Sequence, residues 1–598
     1  MPTRLVRLAL GVITSCGLVA PMAHTASAAP PVEPPKQAEA VGYGGAVSSV
    51  DPYATQIGID VLRRGGTAAD AAVAVAAALG VTEPYSAGIG GGGFFVHYDA
   101  RTGKVETIDG RETAPASARE DMFLENGKPI PFDEAVTSGL GVGVPGTPMT
   151  WQEALRRWGT KDLAEVLRPA EQLARRGFVV DETFRRQTEE NRDRFNAFPA
   201  TRTLFMPGGE LPEVGSVLRN PDLADTYHVL GTRGIDVLYD GEIGADIVRT
   251  VTNPPVDPAV QRTVRPGGMT ADDLRAYRTE EREPTHLTYR GLDVYGMAPA
   301  SSGGTTVGEA LNILERSDLS HLDKTAYLHR YLEASKIAFA DRNRWVGDPA
   351  FSDVPTAGLT SQEFADSREC LIADDAVLPT PVAPGDPNDP QGCQPRTEQG
   401  AEPYEGPNTT HLTVADRWGN VVSYTLTIEQ TGGSGIVVPG RGFLLNNELT
   451  DFNFTPVTPG QPDPNLPAPG KRPRSSMSPT IVLQDGKPLL AVGSPGGATI
   501  ITTVLQVLTG RLDRGMPLVD AIAEPRASQR NAAQTEAEPG FVAQPEAEKL
   551  RAIGHQFKTV TEIGAATGVE RLADGRWIAA AERERRGGGS AAVVASLR

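Results

Sequence analysis

The most constraining feature of this chain is a threonine pair that opens one of two strand-like runs joined by a short turn. The first run reads Asn408-Thr409-Thr410-His411-Leu412-Thr413-Val414, and after a turn at 416–420 a second apolar run covers 421–428. Two such runs around a short turn predict a β-hairpin with Thr409 at its open end. A buried threonine at that position predicts a nucleophile, provided that a base lies beside its hydroxyl.

Self-cleavage would supply that base. A threonine hydroxyl is a weak nucleophile at neutral pH, whereas a free α-amine has an unperturbed pKa of about 7.7 to 8.0 and can accept its proton. Attack of the Thr409 hydroxyl on the Asn408 carbonyl, and hydrolysis of the resulting ester, would put both groups on one residue. Chemistry alone leaves the adjacent Thr410 open as the nucleophile. Two ordinary β-branched residues beginning a strand are the alternative.

Nine motifs carry a resemblance to a known family. In chain order they are 90–93, Asp109-Gly110-Arg111-Glu112, 143–146, Ser301-Ser302-Gly303-Gly304, 340–342, Thr409-Thr410-His411, Leu444 to Phe452, Lys471 to Thr480 and Gly493-Ser494-Pro495-Gly496-Gly497. Together they resemble the γ-glutamyltransferases, or glutathione hydrolases, of the N-terminal nucleophile hydrolases. The resemblance implies an α+β fold, a four-layer αββα sandwich that consists of two chains after self-cleavage.

The resemblance also implies where the chain divides. Residues 29–408 would form a large subunit and residues 409–598 a small, catalytic one, and both would contribute to a single αββα unit as a heterodimer. The family pattern favours Thr409, and not Thr410, as the first residue of the small subunit.

The first 28 residues predict export. Arg4 and Arg7 precede an apolar stretch at 8–22, and Ala26-Ser27-Ala28 fits a cleavage site after Ala28. Ile13-Thr14-Ser15-Cys16 also loosely fits a lipoprotein box, so anchoring through Cys16 is the alternative to secretion. No other apolar stretch approaches the roughly 20 residues needed to span a bilayer.

Charge, cysteine content and histidine spacing limit the classes of binding partner and cofactor that are expected. A net charge of −18 argues against nucleic acid or anionic membrane surfaces as partners. Cys370 and Cys393 lie in a loop-like region of an exported chain, which favours a disulfide over two free thiols. The eight histidines show no ligand spacing, so neither a metal nor an organic cofactor is expected.

Catalytic roles follow from the resemblance and from local chemistry. Thr427, on the strand after Thr409, would hydrogen-bond and orient the nucleophile, or it would be a plain strand residue. Gly496 and Gly497 lie between a strand and a helix, where backbone N–H groups can stabilise an oxyanion. A tight turn that requires glycine would also explain both.

A γ-glutamyl group carries an α-carboxylate and an α-ammonium, so its pocket needs charges of both signs. Arg111 offers a planar fork for the carboxylate, and Ser475 and Ser476 offer hydroxyl donors. The ammonium would bind to acidic residues at the family's binding positions, namely Glu429, Glu448 and Asp451. In isolation, charged residues such as these are more often solvated surface groups.

Two departures from the family pattern bear on specificity. Glu429 stands where many relatives have asparagine, although some bacterial members also have glutamate. The segment 453–470 is short and proline-rich and lacks tyrosine, whereas many relatives have a longer, tyrosine-bearing lid over the site. A missing lid would leave the site more open.

The predicted function is therefore that of an exported γ-glutamyltransferase acting through a Thr409 ester. Glutathione and other γ-glutamyl compounds would be donors, and water, amino acids or peptides would be acceptors. A glutaryl or cephalosporin-type acylase of the same fold is the close rival, but it would not need the acidic residues around an ammonium. A non-catalytic exported binding protein is the alternative from a different class.

Overall fold

The computed structural model describes residues 1, 32–393, 396–397, 406 and 408–596. The predicted signal and Cys16 therefore lie outside the described residues. The strands are β1 (Glu39–Ser49), β2 (Gly92–Asp99), β3 (Lys104–Gly110), β4 (Leu124–Glu125), β5 (Lys128–Pro129), β6 (Phe178–Val179), β7 (Val217–Leu218), β8 (Thr285–Tyr289), β9 (Leu292–Gly296), β10 (Thr410–Asp416), β11 (Val421–Thr427), β12 (Thr480–Gln484), β13 (Lys487–Gly493), β14 (Ala527–Ser528), β15 (Thr535–Ala537), β16 (Phe557–Thr559), β17 (Thr567–Arg571), β18 (Trp577–Ala581) and β19 (Ser590–Ser596).

The helices lie mainly between these strands in the sequence. They are α1 (Pro52–Arg63), α2 (Ala68–Thr82), α3 (Phe132–Val136), α4 (Thr147–Trp158), α5 (Leu163–Arg176), α6 (Glu182–Glu190), α7 (Arg192–Asn196), α8 (Pro199–Phe205), α9 (Pro221–Arg233), α10 (Asp236–Tyr239), α11 (Glu242–Thr252), α12 (Ala271–Ala276), α13 (Gly303–Glu315), α14 (Lys324–Trp345), α15 (Thr356–Leu359), α16 (Gln362–Glu369), α17 (Thr499–Leu512), α18 (Leu518–Ala523), α19 (Pro539–Val542) and α20 (Pro545–Ala552). Short 3₁₀ turns cover Pro207–Gly209, Glu448–Asp451 and Arg585–Gly587. None of the helices in the described part of the chain is long and apolar enough to cross a bilayer.

The main antiparallel β-structure consists of two halves that share the long strand β1. One half has the order β3-β2-β11-β10-β1, and the other continues β18-β17-β13-β12-β9-β8. Residues 39–42 of β1 pair with β18, whereas residues 45–48 pair with β10. The register of β1 with β19 shifts between Tyr43 and Ala46, and Gly44 and Gly45 both have positive φ. This irregularity lets one strand belong to two packed sheets.

Alternation along the central strands fills two hydrophobic cores. In β2, Phe94 and Val96 pack in a core with Ile481 of β12 and with α13, α14 and α17. The intervening Phe95 belongs to a second core with Leu412 of β10 and with α1, α2, α5 and α9. Successive side chains of a strand point to opposite faces, so each sheet is covered on both sides. The predicted four-layer αββα architecture is confirmed.

Close backbone packing brings the end of β11 to the glycine-rich turn before β2. A Cβ atom on Gly91 would lie 2.0 Å from the carbonyl oxygen of Thr427. Only glycine therefore fits at this position. Pairing of Thr410 with Leu426 places Thr409 and Thr427 side by side at the open end of the predicted hairpin. Helix α17 follows β13 of the other half and begins at the same end.

Candidate active site

A small cavity of about 20 Å³ lies where β10 begins, β11 ends and α17 begins. Every predicted catalytic or substrate-binding residue except Gly496 lines it. The lining residues are Arg111, Gly406, Asn408, Thr409, Thr427, Glu429, Glu448, Asp451, Ser475, Ser476, Met477, Gly497 and Ile500. Residues from six separate segments of the sequence therefore meet around one threonine.

The hydroxyl of Thr409 lies against the peptide group that precedes it. Its Oγ1 atom contacts the carbonyl oxygen of Asn408 and lies 3.4 Å from Thr427 Oγ1. Thr427 Oγ1 is 3.3 Å from the same carbonyl oxygen and accepts a hydrogen bond of 2.8 Å from the Glu429 amide. The single Thr427 proton can then point to the carbonyl while a lone pair faces Thr409. This geometry orients the hydroxyl toward the Asn408 carbonyl group.

The Asn408 side chain is held by a pocket that sequence reasoning missed. Its Oδ1 atom accepts hydrogen bonds from Arg586 Nη2 at 2.6 Å and from Ser86 Oγ at 3.1 Å, and its Nδ2 atom donates to the Tyr85 carbonyl oxygen at 2.7 Å. Arg586 Nη1 also donates to the carbonyl oxygen of Thr409 at 2.8 Å. No local pattern marks Arg586, because it lies 178 positions from Asn408 in the sequence.

Glu429 adopts a backbone conformation that side chains rarely occupy. Its φ is +77°, which costs on the order of 1 to 3 kcal/mol for a non-glycine residue. Two hydrogen bonds hold Glu429 in place. Its amide donates to Thr427 Oγ1, and Asn447 Nδ2 donates to Glu429 Oε2. Its other carboxylate oxygen accepts a hydrogen bond of 2.7 Å from the Gly406 amide. In the uncleaved chain, the Gly406 amide, shortly before the proposed cleavage point, is thus hydrogen-bonded to the carboxylate that is predicted to bind an ammonium.

Arg111 is fully buried, and protein groups surround its guanidinium. Nη1 donates to Glu448 and Nη2 to Asp451, and further bonds run from Nη2 to the Arg474 carbonyl oxygen at 3.0 Å and from Nε to the Pro473 carbonyl oxygen at 3.1 Å. Arg111 thus lines the cavity, as expected. Its fork faces Glu448 and Asp451, so a ligand carboxylate would have to share the guanidinium with them.

Acidic groups outnumber this arginine. Burial raises the pKa of Glu429 well above its usual range, and the neighbouring Asp451 and Glu448 carboxyls add to the shift. Burial likewise raises the pKa of Glu112, with a further contribution from Glu448. For Glu448 itself, burial raises the pKa although Arg111 opposes the shift. An additional cation in the cavity would therefore be electrostatically favoured.

The two predicted serines are held by Ser302, which directly precedes α13, and by Arg342 of α14. Ser476 Oγ accepts a hydrogen bond of 2.7 Å from Arg342 Nη2, and Arg342 Nε donates to Ser302 Oγ at 2.8 Å. The Ser302 amide donates to the Ser475 carbonyl oxygen at 2.7 Å. Ser475 Oγ accepts a hydrogen bond from the Met477 amide at 3.2 Å. These bonds fix both serines at the cavity wall.

The glycine pair precedes the first turn of α17. Both residues have positive φ, +135° at Gly496 and +56° at Gly497, and a Cβ on Gly496 would lie 2.5 Å from Thr499 Oγ1. Gly497 lines the cavity, whereas Gly496 is one residue further from it. The turn requires glycine, and the positive end of the helix dipole lies at the cavity. The two readings of this motif are therefore compatible.

The disulfide cysteines and the described histidines do not line this cavity. A disulfide joins Cys370 to Cys393, with a Cα–Cα distance of 5.4 Å. His329, Glu333 and His555 meet in a buried cluster with the spacing of a metal site, which the sequence spacing had not indicated. His329 Nδ1 already bonds to His555 Nε2 at 2.8 Å, and Glu333 bonds to Lys336 at 2.6 Å. Hydrogen bonds alone therefore account for this cluster.

The short segment 453–470 does not line the cavity around Thr409. Asn465 anchors it through hydrogen bonds to the Asp451 carbonyl oxygen and from the Arg474 amide. Its residues 457–464 border a separate cavity of about 250 Å³ together with Arg344 and Arg530.

Comparisons with known proteins agree with this geometry. The model of the Gamma-glutamyltranspeptidase family matches residues 54–593. The chain is 42% identical over 525 residues to the glutathione hydrolase proenzyme of Bacillus subtilis (strain 168), a match that covers 87% of this chain and 86% of that protein. It is 37% identical over 554 residues to the glutathione hydrolase proenzyme of Escherichia coli (strain K12), covering 88% of each.

The fold also matches a solved structure that covers nearly the whole chain. A cephalosporin acylase from Bacillus halodurans superimposes with a TM-score of 0.81 at 28% sequence identity. The match covers 94% of this chain and 97% of the acylase chain. The chain is therefore similar both to proteins named glutathione hydrolase and to one named cephalosporin acylase.

Proposed function

Because the chain belongs to the gamma-glutamyltranspeptidase family and is an enzyme of the N-terminal nucleophile hydrolase class, we propose that it cleaves itself before Thr409 and transfers γ-glutamyl groups through an ester on that residue. Donors are glutathione and other γ-glutamyl amides, and acceptors are water and amino acids. The observation that carries the proposal is the Thr409 hydroxyl lying against the Asn408 carbonyl, beside a cavity with excess carboxyl groups.

Self-cleavage begins with the hydroxyl of Thr409. Its oxygen attacks the Asn408 carbonyl carbon, the C–N bond breaks, and the proton passes to the departing nitrogen, which becomes the α-amine of Thr409. Water then hydrolyses the Asn408 ester and returns the hydroxyl. Thr427 supports the first step because its hydroxyl lies 3.3 Å from the carbonyl oxygen on which negative charge develops.

Catalysis reuses the same hydroxyl with the new α-amine as its base. The amine takes the Thr409 proton as the oxygen attacks the donor's γ-carbonyl, and it then protonates the leaving amine. Amides at the start of α17, near Gly497, are in a position to stabilise the oxyanion. Water or an acceptor amine attacks the ester and regenerates Thr409. The residues named here supply all groups for these steps, and the proposal includes no cofactor.

Donor recognition rests on the surplus of acid in the cavity. A γ-glutamyl group brings an α-ammonium that can bind Glu429 Oε1 in place of the Gly406 amide, which donates a hydrogen bond to it in the uncleaved chain. Asp451 and Glu448 add negative charge on the same side. The α-carboxylate would bind Arg111 together with Ser475 and Ser476. A glutaryl group has no ammonium and would not bring a cation to Glu429.

The uncleaved chain is expected to be inactive for a second reason. A Cβ atom on Gly406 would lie 1.9 Å from Glu429 Oε1, so this residue fills the space beside the carboxylate. With Gly406 in place, the remaining cavity of about 20 Å³ has room for about one water and not for a γ-glutamyl group. Cleavage before Thr409 would therefore release both the amine base and the donor pocket.

Export and subunit composition belong to the same proposal. Residues 1–28 would be removed as a signal, or the protein would be anchored through Cys16. Residues 29–408 and 409–598 would remain associated, because β1 of the first part lies between β10 and β18 of the second. The shared sheets make the two chains one folding unit.

A pair of substrates that differ only at the α-amine tests this function against acylase activity. We expect kcat/KM for γ-glutamyl-p-nitroanilide to exceed that for glutaryl-p-nitroanilide at least about 100-fold, or roughly 2.7 kcal/mol of transition-state binding. The reason is that a glutaryl group brings no ammonium to the buried Glu429 carboxyl. Release of p-nitroaniline by the purified two-chain protein is the measurement. Equal rates, or a preference for glutaryl, would assign the chain to the acylase alternative.

A further inference from the structure

The pocket around the Asn408 side chain has no role in the proposed hydrolysis. Two donors, Arg586 Nη2 and Ser86 Oγ, face Asn408 Oδ1, and one acceptor, the Tyr85 carbonyl oxygen, faces Asn408 Nδ2. Ser86 Oγ also lies 3.5 Å from Glu83 Oε2. Cleavage before Thr409 makes Asn408 a chain end, and its withdrawal would leave these groups around an open space. Buried polar groups that lose a partner favour a ligand that replaces it.

This space adjoins the atom at which an acceptor must react. Asn408 is bonded to the Thr409 nitrogen, so the volume that it leaves borders the α-amine created by cleavage. An acceptor amine that attacks the ester gives its proton to that α-amine and must lie within about 3 Å of it. The Arg586 guanidinium lies beside the same residue, 2.8 Å from the Thr409 carbonyl oxygen.

Arg586 makes no direct ion pair with a described residue, although the Glu83 and Glu562 carboxyls are near enough to act on it electrostatically. Its guanidinium bonds are to the Asn408 side chain and to the Thr409 carbonyl oxygen. In the described part of the chain, no carboxylate oxygen lies within 4.0 Å of that guanidinium. Glu562 accepts a hydrogen bond from the Arg586 backbone amide at 3.1 Å and pairs with Arg186 at 3.5 Å. A charged group directed at the reaction centre without an ion-pair partner indicates an anionic ligand.

We propose that the pocket formed by Arg586, Ser86 and the Tyr85 carbonyl is the acceptor subsite and that it selects free α-amino acids by their carboxylate. The inference rests on the proposed function and deepens it. The amine of the acceptor lies beside the Thr409 nitrogen, and its carboxylate binds Arg586 and Ser86. In an α-amino acid the amine nitrogen and a carboxylate oxygen are about 3 Å apart. The nitrogen of Thr409 and its carbonyl oxygen, to which Arg586 donates, have a similar spacing, so one α-amino acid can reach both the Thr409 amine and Arg586.

The transfer step balances with these groups alone. The neutral acceptor amine forms a C–N bond to the γ-carbonyl carbon of the ester, and the bond from that carbon to Thr409 Oγ1 breaks. The proton lost from the acceptor nitrogen passes to the α-amine of Thr409 and then to Oγ1. The products are a γ-glutamyl amino acid and free enzyme. Arg586 touches the acceptor carboxylate and takes no proton.

The first test uses the unaltered protein and two acceptors. L-alanine and L-alaninamide are compared at equal concentrations of neutral amine, with γ-glutamyl-p-nitroanilide as donor. The readout is γ-glutamyl product formed per p-nitroaniline released, which counts only acyl groups that have reached Thr409. We expect L-alanine to be preferred about tenfold or more, the size of a charged hydrogen bond. Equal partitioning of the two acceptors would overturn the inference.

Variants then locate the selectivity. In Arg586→Gln we expect the preference for L-alanine to fall about tenfold, while Arg586→Lys retains part of it. Arg583→Gln is the matched control on the same segment, since Arg583 is half-exposed and pairs with Asp520 at 2.7 Å. An unchanged preference in cleaved Arg586→Gln would contradict the assignment.

Ser86→Ala keeps the test decisive if Arg586→Gln remains a single chain. It removes only the weaker donor to Asn408, so we expect cleavage to continue and the preference to fall about threefold. An unchanged preference in this variant, with Arg586→Gln uncleaved, would overturn the subsite. Failure of the unaltered protein to release p-nitroaniline would instead contradict the proposed function, so the two failures are distinguishable.

Discussion

Thr409→Ala should leave the protein as a single chain and lower γ-glutamyl transfer at least about 10³-fold, because one substitution removes the nucleophile and prevents formation of its base. The structure adds a geometric reason for the first effect. Thr409 Oγ1 is the hydroxyl that contacts the Asn408 carbonyl oxygen, whereas Thr427 Oγ1 is 3.3 Å from it. Denaturing gel electrophoresis and anilide hydrolysis measure the two consequences separately.

Thr410→Ala is the matched control for this variant. The Thr410 hydroxyl is buried and makes no hydrogen bond with a described residue, and Thr410 pairs with Leu426 in the sheet. We therefore expect Thr410→Ala to cleave and to remain active, which would resolve the register that chemistry alone left open. Thr409→Ser should also cleave, because it keeps the hydroxyl. A two-chain Thr409→Ala product would contradict the assignment of the nucleophile.

Arg111→Lys should lower kcat/KM for γ-glutamyl-p-nitroanilide at least about 100-fold, equivalent to roughly 2.7 kcal/mol. A lysine ammonium cannot reproduce the planar fork that contacts Glu448 and Asp451 and would also bind a donor carboxylate. The loss should appear mainly in KM if Arg111 contributes equally to substrate and transition-state binding. Kinetics are measured on the cleaved fraction only, since the substitution also weakens a buried charge cluster.

Arg368→Lys provides the control for burial of an arginine–carboxylate pair. Arg368 is buried and bonds to Asp341 at 2.9 Å, and neither residue lines the cavity around Thr409. We expect this variant to lose stability but to keep its donor KM. If Arg111→Lys and Arg368→Lys change kcat/KM equally, the effect of Arg111 is on folding and not on the donor.

Short-range features were predictable because neighbouring residues determine them. Thr67 caps α2 in a capping box with Asp70, and a threonine followed three residues later by an acid favours such a helix start. Asp485 and Gly486, with φ of +51° and +71°, make the hairpin turn between β12 and β13, and an Asp-Gly pair between two apolar runs favours such a turn. Thr409 and Thr427 meet because they end adjacent strands of one hairpin. The binding roles of residues in separate segments, such as Arg111 and Ser476, were predicted from the family resemblance and not from periodicity.

Long-range contacts within the site were beyond local pattern. Arg586 reaches Asn408 only because β19 returns the C-terminal segment to β1, and no spacing rule encodes that return. The contact between Gly406 and Glu429 depends on a left-handed residue that sequence does not reveal. His329 and His555 are 226 positions apart, which explains why their cluster with Glu333 was not anticipated.

The most direct measurement of the central claim is the intact mass of the smaller chain of the purified protein, taken before and after rapid acid quenching with a γ-glutamyl donor. We predict a chain of residues 409–598 that begins with Thr409 and gains one γ-glutamyl group during turnover, located on Thr409 by peptide fragmentation. A single full-length chain that still hydrolyses the donor, or a smaller chain that begins at another residue, would contradict the account.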